Sequence, residues 1–340
     1  MATLTLSPPI LDRIAAQSNG SLATARRLRE GPAATPPHPA PDPTVPDNFE
    51  TKEFSTREDR LRARHVSRVL NQPGQTNWLN IKDRLWLLKQ SPRVMPPPLD
   101  REAARHFAER LKAGVASGSP PLTLSSSLRM RAIRKGLNGA LLDAFAQYPD
   151  TELRTVTVIY AGWRLTPAEL DGMTAAKLKA QFRRHLDRAG VFKVSGPLFA
   201  VLHGEFEPSS CRYQLHFHLV TTAAKAAALK KGLNTKIIRG YTVTPTGAAP
   251  VWRSQLGDRV VQLSYIAKSY WPCRPVIQID GKPKRVRDPR RIPEPYATQV
   301  LLWLDRQKFT DLVVTHDCWS RRNGGSAAMK RLYLFVKAVS

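Results

Sequence analysis

Apolar side chains recur at helical spacing in the stretch that follows residue 50. In 125–148, Leu137, Leu141 and Phe145 follow one another at intervals of four residues, and this spacing places them on one face of a helix. Neighbouring segments that carry lysine and arginine between their apolar positions are also predicted to be helices: 55–70, 77–90 and 98–113. Residues 51–150 are therefore expected to form a helical accessory region, for which DNA binding is a candidate role.

The pattern changes at residue 151, where a period of two replaces the helical one. The segment LRTVTVIY at 153–160 alternates and is rich in β-branched residues, which predicts a strand. Further strands are predicted at 197–206, 213–222 and 236–243, and helices at 174–189, 223–233 and 258–270. This order, with an antiparallel hairpin at its centre, predicts an α+β domain over residues 151–275.

The two ends of the chain are predicted to differ from this domain. Proline, alanine and small polar residues dominate 31–48, and such a stretch buries too little apolar area to fold. Residues 1–50 are therefore expected to be a disordered tail. Residues 276–340 are predicted to form an extension with a basic loop, a helix at 295–311 and a short strand at 332–336.

The charge of the chain indicates the class of its partner. Lysine and arginine number 53 against 27 acidic residues, which gives a net charge of +26. Self-repulsion of this size opposes compaction, so the usual reason for it is a polyanionic partner. Ribosomal and architectural proteins are equally basic, so the charge indicates nucleic acid but does not indicate a reaction.

The composition also argues against two classes of protein. No run approaches the roughly 20 apolar residues that cross a bilayer, so no membrane partner is expected. The three cysteines are far apart and form neither a disulfide framework nor a CxxC zinc pair, which favours a cytoplasmic location.

The segment HFHLV at 216–220 carries the sharpest chemical signal. On a strand, alternate side chains share a face, so His216 and His218 point the same way, about 6.5–7 Å apart along the strand, and are able to converge on one divalent ion. One strand earlier, Glu205 is the favoured third ligand, with Glu207 and His203 as alternatives. The competing interpretation is a pair of exposed histidines beside acids that are simply solvated.

A tyrosine on the predicted helix 258–270 is the candidate nucleophile. Tyr265 and Lys268 are three residues apart and project from the same side of the helix. A nearby ammonium favours the phenolate and neutralises a phosphate, which eases attack. Tyr270 lies about 140° round the helix from Tyr265 and is interpreted as a packing residue.

Basic and aromatic residues extend this picture towards DNA. The segment KPKRVRDPRR at 282–291 is predicted to contact the DNA backbone. Its cations are Lys282, Lys284, Arg285, Arg287, Arg290 and Arg291. Trp163, Trp252 and Trp271 are candidates for stacking on bases, although a core position is the favoured interpretation for each.

Together, the segments 215–220 (LHFHLV) and 265–268 (YIAK) resemble the two hallmark motifs of the HUH endonuclease superfamily. The strand at 154–160 occupies the place of that family's first motif, and the histidines precede the tyrosine, as in replication initiators. The resemblance covers about residues 151–271. Within that superfamily, the chain most resembles rolling-circle replication initiator (Rep) proteins of plasmid or phage type that have one catalytic tyrosine.

The resemblance implies both a fold and a mechanism. The expected fold is a central antiparallel sheet, the HUH-type catalytic palm, flanked by helices and preceded by the helical region and the tail. Mg²⁺ or Mn²⁺ held by His216 and His218 would polarise the scissile phosphate of single-stranded origin DNA. Tyr265 would attack it, leaving a 5′-phosphotyrosine link and a free 3′-hydroxyl, while Lys268 stabilises charge.

Other implications concern partners and alternatives. No GxxxxGK[ST] loop occurs in the chain, so a host helicase is expected to unwind the DNA and a host polymerase to extend the 3′-hydroxyl. A transposase of the same chemistry is one alternative. A non-catalytic basic protein that binds nucleic acid, with incidental histidines, is the other.

Overall fold

The structure is a computed structural model, and it describes most of the chain after residue 50. The described residues are 51–71, 99–233, 238, 240–244, 247–268, 270–279, 282–285, 290–317 and 327–340. The predicted tail at 1–50 and the predicted helix at 77–90 lie outside them. No helix within these ranges is long and apolar enough to cross a membrane.

A mostly antiparallel sheet lies at the centre of the molecule. Its strands are β1 (Leu153–Leu165), β2 (Leu198–Glu207), β3 (Arg212–Thr222), β4 (Val251–Gln255), β5 (Pro272–Cys273), β8 (Arg290–Arg291) and β9 (Val313–His316), with a separate hairpin of β6 (Val276–Ile279) and β7 (Lys282–Arg285). The sheet order is β4-β1-β3-β2-β5-β8, and β9 pairs with β2. Strands flanked by helices confirm the predicted α+β class.

Helices surround the sheet. They are α1 (Lys52–Asn71), α2 (Arg101–Ser117), α3 (Ser127–Phe145), α4 (Pro167–Gly172), α5 (Ala175–Arg188), α6 (Ala223–Leu233), α7 (Arg259–Tyr265), α8 (Tyr296–Asp305), α9 (Phe309–Leu312) and α10 (Ala327–Ala338). Predicted helices at 55–70, 98–113, 125–148, 174–189 and 223–233 correspond to α1, α2, α3, α5 and α6. Helix α3 contributes to the same hydrophobic core as the sheet.

The face of β3 that carries Phe217 packs against α5, while residues of the opposite face, such as Val201 and Val220, are also buried in the core. Phe217 of β3 stacks on Phe182 of α5 with ring centroids 4.2 Å apart, and Trp163 meets Phe182 edge-on at 5.7 Å. All three side chains are fully buried. Aromatic packing of this kind is among the largest contributions to a core, so it fixes how α5 lies against the sheet.

The opposite face of β1, β2 and β3 carries the candidate ligands. β2 and β3 form an antiparallel hairpin in which His203 lies directly across from His216 and Glu205 across from Gln214. On the other side of β3, Thr157 of β1 lies across from His218. Directly opposed residues share a face, so these side chains form one surface, called the histidine face below.

Two predicted strands are wrong. In the stretch 236–243, the described residues 238 and 240–243 are not in a strand. Gly240 has a φ of 100°, which is open to glycine and interrupts an extended run. The strand beside β1 is β4 instead. At 332–336 the chain is in helix α10, where Leu332 and Val336 are buried one turn apart; a short apolar run fits either period.

Two predicted helices are shorter than expected. The helix predicted at 258–270 begins as expected after Asp258, whose side chain accepts a hydrogen bond from the Val261 N–H at 3.0 Å, but it ends at Tyr265. The helix predicted at 295–311 is divided into α8 and α9. The earlier end of α7 changes the setting of Lys268 and Tyr270, which no longer lie on it.

Candidate metal and nucleophile site

His216 and His218 point their outer ring nitrogens at each other. Their Nε2 atoms are 3.1 Å apart. Two ligands that bind one ion at right angles, each at about 2.1 Å, are about 3.0 Å apart, so the pair is spaced to share an ion. His216 is only 6% exposed, which rules out the interpretation of two exposed histidines.

The inner ring nitrogens of both histidines have partners of their own. His216 Nδ1 lies 3.3 Å from the Gln214 carbonyl oxygen, and His218 Nδ1 lies 2.9 Å from Thr157 Oγ1. Because a carbonyl only accepts, the proton of His216 is on Nδ1 and its Nε2 presents a lone pair. A second partner that fixes the tautomer in this way is typical of metal-binding histidines.

His203 connects the histidine face to the tyrosine helix. Its ring centroid is 4.9 Å from that of His218, and its Nε2–H donates to the carbonyl oxygen of Ile266, the residue after Tyr265. His203 is fully enclosed, and its carbonyl contact spans 63 positions in sequence. This contact fixes the end of α7 against β2.

The two acidic candidates for the third ligand are engaged by arginines. Glu205 Oε2 lies 3.4 Å from Arg274 Nε, and Glu207 accepts a hydrogen bond from Arg164 at 2.9 Å. In the part of the chain that the structure describes, no three histidine, cysteine, aspartate or glutamate side chains are arranged as a metal cage. Glu205 as the third ligand therefore stays a prediction.

Burial, together with nearby positive charge, favours the neutral forms of His203 and His218. Burial, followed by the neighbouring His216, Lys268 and Arg274, holds the pKa of His218 well below its usual range. Burial, with His218 and Lys268 as the next causes, does the same for the pKa of His203. A neutral imidazole is the form that binds a metal, and the nearby cations make the surroundings favourable for phosphate.

Tyr265 and Lys268 lie together although the helix ends between them. The chain turns after α7 through a hydrogen bond from the Lys268 N–H to the Tyr265 carbonyl at 3.3 Å. Lys268 Nζ is 3.5 Å from the Tyr265 hydroxyl and 5.0 Å from the centre of its ring. The Tyr265 side chain is 40% exposed, so its hydroxyl is accessible to a large substrate.

Helix α7 is held at its other end as well. Arg259, its first residue, donates to the Asp150 carboxylate at 2.7 Å and to the carbonyl oxygen of Phe145 at 3.2 Å. Together with the cap from Asp258 and the contact of His203 to Ile266, these bonds fix a helix of only seven residues. The position of the Tyr265 backbone is thus determined by contacts from three other parts of the chain.

The basic segment is divided between two places. Lys282, Lys284 and Arg285 lie on β7, Arg290 and Arg291 form β8 beside β5, and Arg287 is outside the described residues. Arg291 donates two hydrogen bonds, 2.7 and 2.5 Å long, to the carboxylate of Glu58. A role in DNA contact stays a prediction for these residues, and for Arg291 a structural role is also evident.

Two aromatic residues are more exposed than predicted. Trp163 and Trp271 are buried as predicted, but Trp252 is 65% exposed on the edge strand β4. Tyr270 is 42% exposed and lies beyond the end of α7, so its interpretation as a packing residue is wrong. The sequence did not signal either exposure, because both depend on which strand is an edge and where a helix stops.

Comparisons with known proteins add nothing to this picture. No protein-family model, no curated protein and no solved structure matches the chain. The interpretation of the site therefore depends on its own residues and their geometry.

Proposed function

We propose that this protein is a metal-dependent endonuclease that nicks single-stranded DNA through Tyr265, as a rolling-circle replication initiator of the HUH superfamily does. The observation that carries the proposal is the convergence of the His216 and His218 Nε2 atoms at 3.1 Å beside the Tyr265–Lys268 pair. The contact from His203 to Ile266 supports it, because it joins β2, which pairs with the strand of both histidines, to the end of the helix that carries Tyr265.

The proposed reaction is a transesterification at phosphorus. The Tyr265 oxygen forms a bond to a DNA phosphorus, the bond from phosphorus to the 3′ oxygen breaks, and the 5′ phosphate stays on the tyrosine. The phenol loses its proton, and the departing 3′ oxygen takes one up, which leaves a free 3′-hydroxyl. His216 and His218 would hold Mg²⁺ or Mn²⁺, which would supply Lewis-acid polarisation of the phosphate.

Lys268 and the surrounding cations serve this reaction electrostatically. The Lys268 ammonium, 3.5 Å from the Tyr265 hydroxyl, stabilises negative charge on the phenolate and on the phosphate. Arg274 lies close enough to influence His218. Together with the net charge of +26, they favour a polyanionic substrate, and the proposed partners are origin DNA with a host helicase and polymerase in the cytoplasm.

The test is covalent capture of DNA. Purified protein is incubated with Mn²⁺ and labelled single-stranded DNA from its own replicon and run on a denaturing protein gel. We expect a labelled band at the mass of the protein that Tyr265→Phe abolishes. Tyr270→Phe is the matched control, because Tyr270 is equally exposed and only five residues away, and it should label like the wild type.

The same gel separates the competing functions. Loss of the band in the double variant His216→Ala, His218→Ala, with DNA binding retained, is expected if the two histidines hold the ion. DNA that binds but never becomes attached, across metals and substrates, would overturn the nuclease and leave a non-catalytic nucleic-acid-binding protein. A transposase shares the chemical step, and rejoining of the captured strand to a second DNA end would favour it.

A further inference from the structure

The histidine face continues sideways to an exposed tryptophan. Thr157 of β1 lies across from His218 of β3 on one side and across from Trp252 of β4 on the other. Strands are about 4.8 Å apart, so Trp252 lies in the same row as His218, roughly 10 Å away. The hydrogen bond of 2.9 Å between Thr157 and His218 confirms that the row shares one face.

The surface around Trp252 is polar. The next row on the same face contains Thr155 and Ser254, whose hydroxyls are 2.7 Å apart. By contrast, Val158 and Val251, which are opposed on the other face, are buried. β4 thus presents the Trp252 indole and the Ser254 hydroxyl on one face, and its one buried residue, Val251, lies on the other.

The exposure of Trp252 is unusual for its residue type. An indole is less favourably placed in water than in a protein core. Trp252 is 65% exposed, whereas Trp163, Trp271 and Trp303 are buried. An exposed indole bordered by hydroxyls, in a chain of net charge +26, has the chemistry of a stacking platform for unpaired bases. The hydroxyls are suited to bond sugar and phosphate oxygens.

We propose that Trp252 stacks on a base of single-stranded DNA and thereby holds the strand across β4 and β1 towards His216 and His218. The direction of the strand rests on the proposed function, whereas the stacking does not. Single-stranded DNA is favoured over duplex because a paired base is already stacked on both sides and offers no free face to a side chain.

The experiment measures binding without catalysis. Affinity for a short oligothymidylate is measured by fluorescence anisotropy, in the absence of divalent metal, for the wild type, Trp252→Ala and Trp252→Phe. We expect Trp252→Ala to weaken binding by roughly tenfold and Trp252→Phe by less, because a smaller ring still stacks. Phe54→Ala is the matched control, since Phe54 is an exposed aromatic residue on α1, and it should bind like the wild type.

Salt dependence distinguishes stacking from charge. Stacking releases no counterions, so the loss in Trp252→Ala should be the same factor at every salt concentration, with the slope of log affinity against log salt unchanged. Quenching of tryptophan fluorescence by the oligonucleotide should also be weaker in Trp252→Phe. Circular dichroism confirms that each variant is folded.

These binding measurements test the stacking role of Trp252 independently of the nicking reaction. Equal affinity of wild type and Trp252→Ala, or an equal loss for duplex DNA, would overturn the stacking role. A loss confined to oligouridylate would overturn DNA as the occupant. If Trp252→Ala binds DNA weakly while the wild type never captures DNA covalently, the stacking role is supported and the endonuclease is overturned. If Trp252→Ala binds like the wild type and the wild type captures DNA, the stacking role is overturned and the endonuclease is supported.

Discussion

Two buried polar clusters in this protein have opposite electrostatic character. At the junction of α1 with α3 and β8, Glu58 meets Arg62 and Arg291, so each carboxylate oxygen has an arginine. On the histidine face, His203 and His218 are held neutral, with Lys268 and Arg274 nearby. The first cluster is complementary within itself, whereas the second offers neutral ring nitrogens as ligands and a positive surrounding that favours an anion from outside.

The partners of a buried polar group distinguish a structural role from a functional one. At the junction, Asp59 also accepts hydrogen bonds from Ser126 Oγ at 2.6 Å and from the backbone of Ser127 at 2.6 Å, which caps the start of α3. These bonds lie wholly within the protein. On the histidine face the partners fix the rings from behind and aim Nε2 atoms at a common point, and only this arrangement is useful to a ligand.

The largest effect on stability is expected at low pH, from Glu58 at the junction of α1 with α3 and β8. Burial alone would raise the pKa of Glu58, but hydrogen bonds and charges from Arg291 and Arg62 lower it to about 2. The unfolded chain takes up this proton at higher pH, so the stabilisation is present above about pH 4.5 and is lost as pH falls through about 2. Its size is on the order of 3 kcal/mol.

Urea unfolding from pH 7 to pH 2 measures this effect. Glu58→Gln should be less stable than wild type at pH 7, and the two curves should converge in acid. Parallel curves would show that Glu58 does not have a lowered pKa in the folded protein.

A somewhat smaller effect is expected from removal of the arginine. Arg291→Ala leaves the buried Glu58 with Arg62 alone, and we expect the free energy of unfolding at pH 7 to fall by about 2 kcal/mol. Arg331→Ala is the matched control, because its ion pair with Asp143 is exposed on both sides and should contribute less than about 0.5 kcal/mol. Equal losses in the two variants would contradict the distinction between a pair with a buried carboxylate and a pair with an exposed one.

The smallest effect on stability, with a large effect on activity, is expected at His203. His203→Ala removes the hydrogen bond to the Ile266 carbonyl, which should cost about 1–2 kcal/mol in unfolding and lower the single-turnover nicking rate at least tenfold. His203→Gln, which retains an N–H donor, should recover part of the rate. Since the bond positions the Tyr265 helix, the loss should persist at saturating Mn²⁺.

The Mn²⁺ dependence of this variant tests the third ligand at the same time. If His203 binds the ion, His203→Gln should need more Mn²⁺ to reach its maximal rate. A full wild-type rate in His203→Ala at any Mn²⁺ concentration would contradict both roles and leave Glu205 and Glu207 as the candidates.

The sequence predicted the elements whose signals are local. The alternation in 213–222 placed His216 and His218 on one face, and Asp258 marked the start of α7, because both rest on neighbouring residues. The exposure of Trp252 was not predictable, since it depends on β4 being an edge of the sheet. Nor was the contact from His203 to Ile266, because partners far apart in sequence leave no periodic pattern.

The pairing of β2 with β3 also limits which insertions and deletions the protein tolerates. Since side chains alternate, the insertion or deletion of one residue between positions 212 and 216 would exchange the two faces of β3, turning Phe217 outward and both histidines into the core. A change of two residues would preserve the alternation. We therefore expect single-codon insertions and deletions here to be the least tolerated, whereas the loop at 208–211 accepts variation in length.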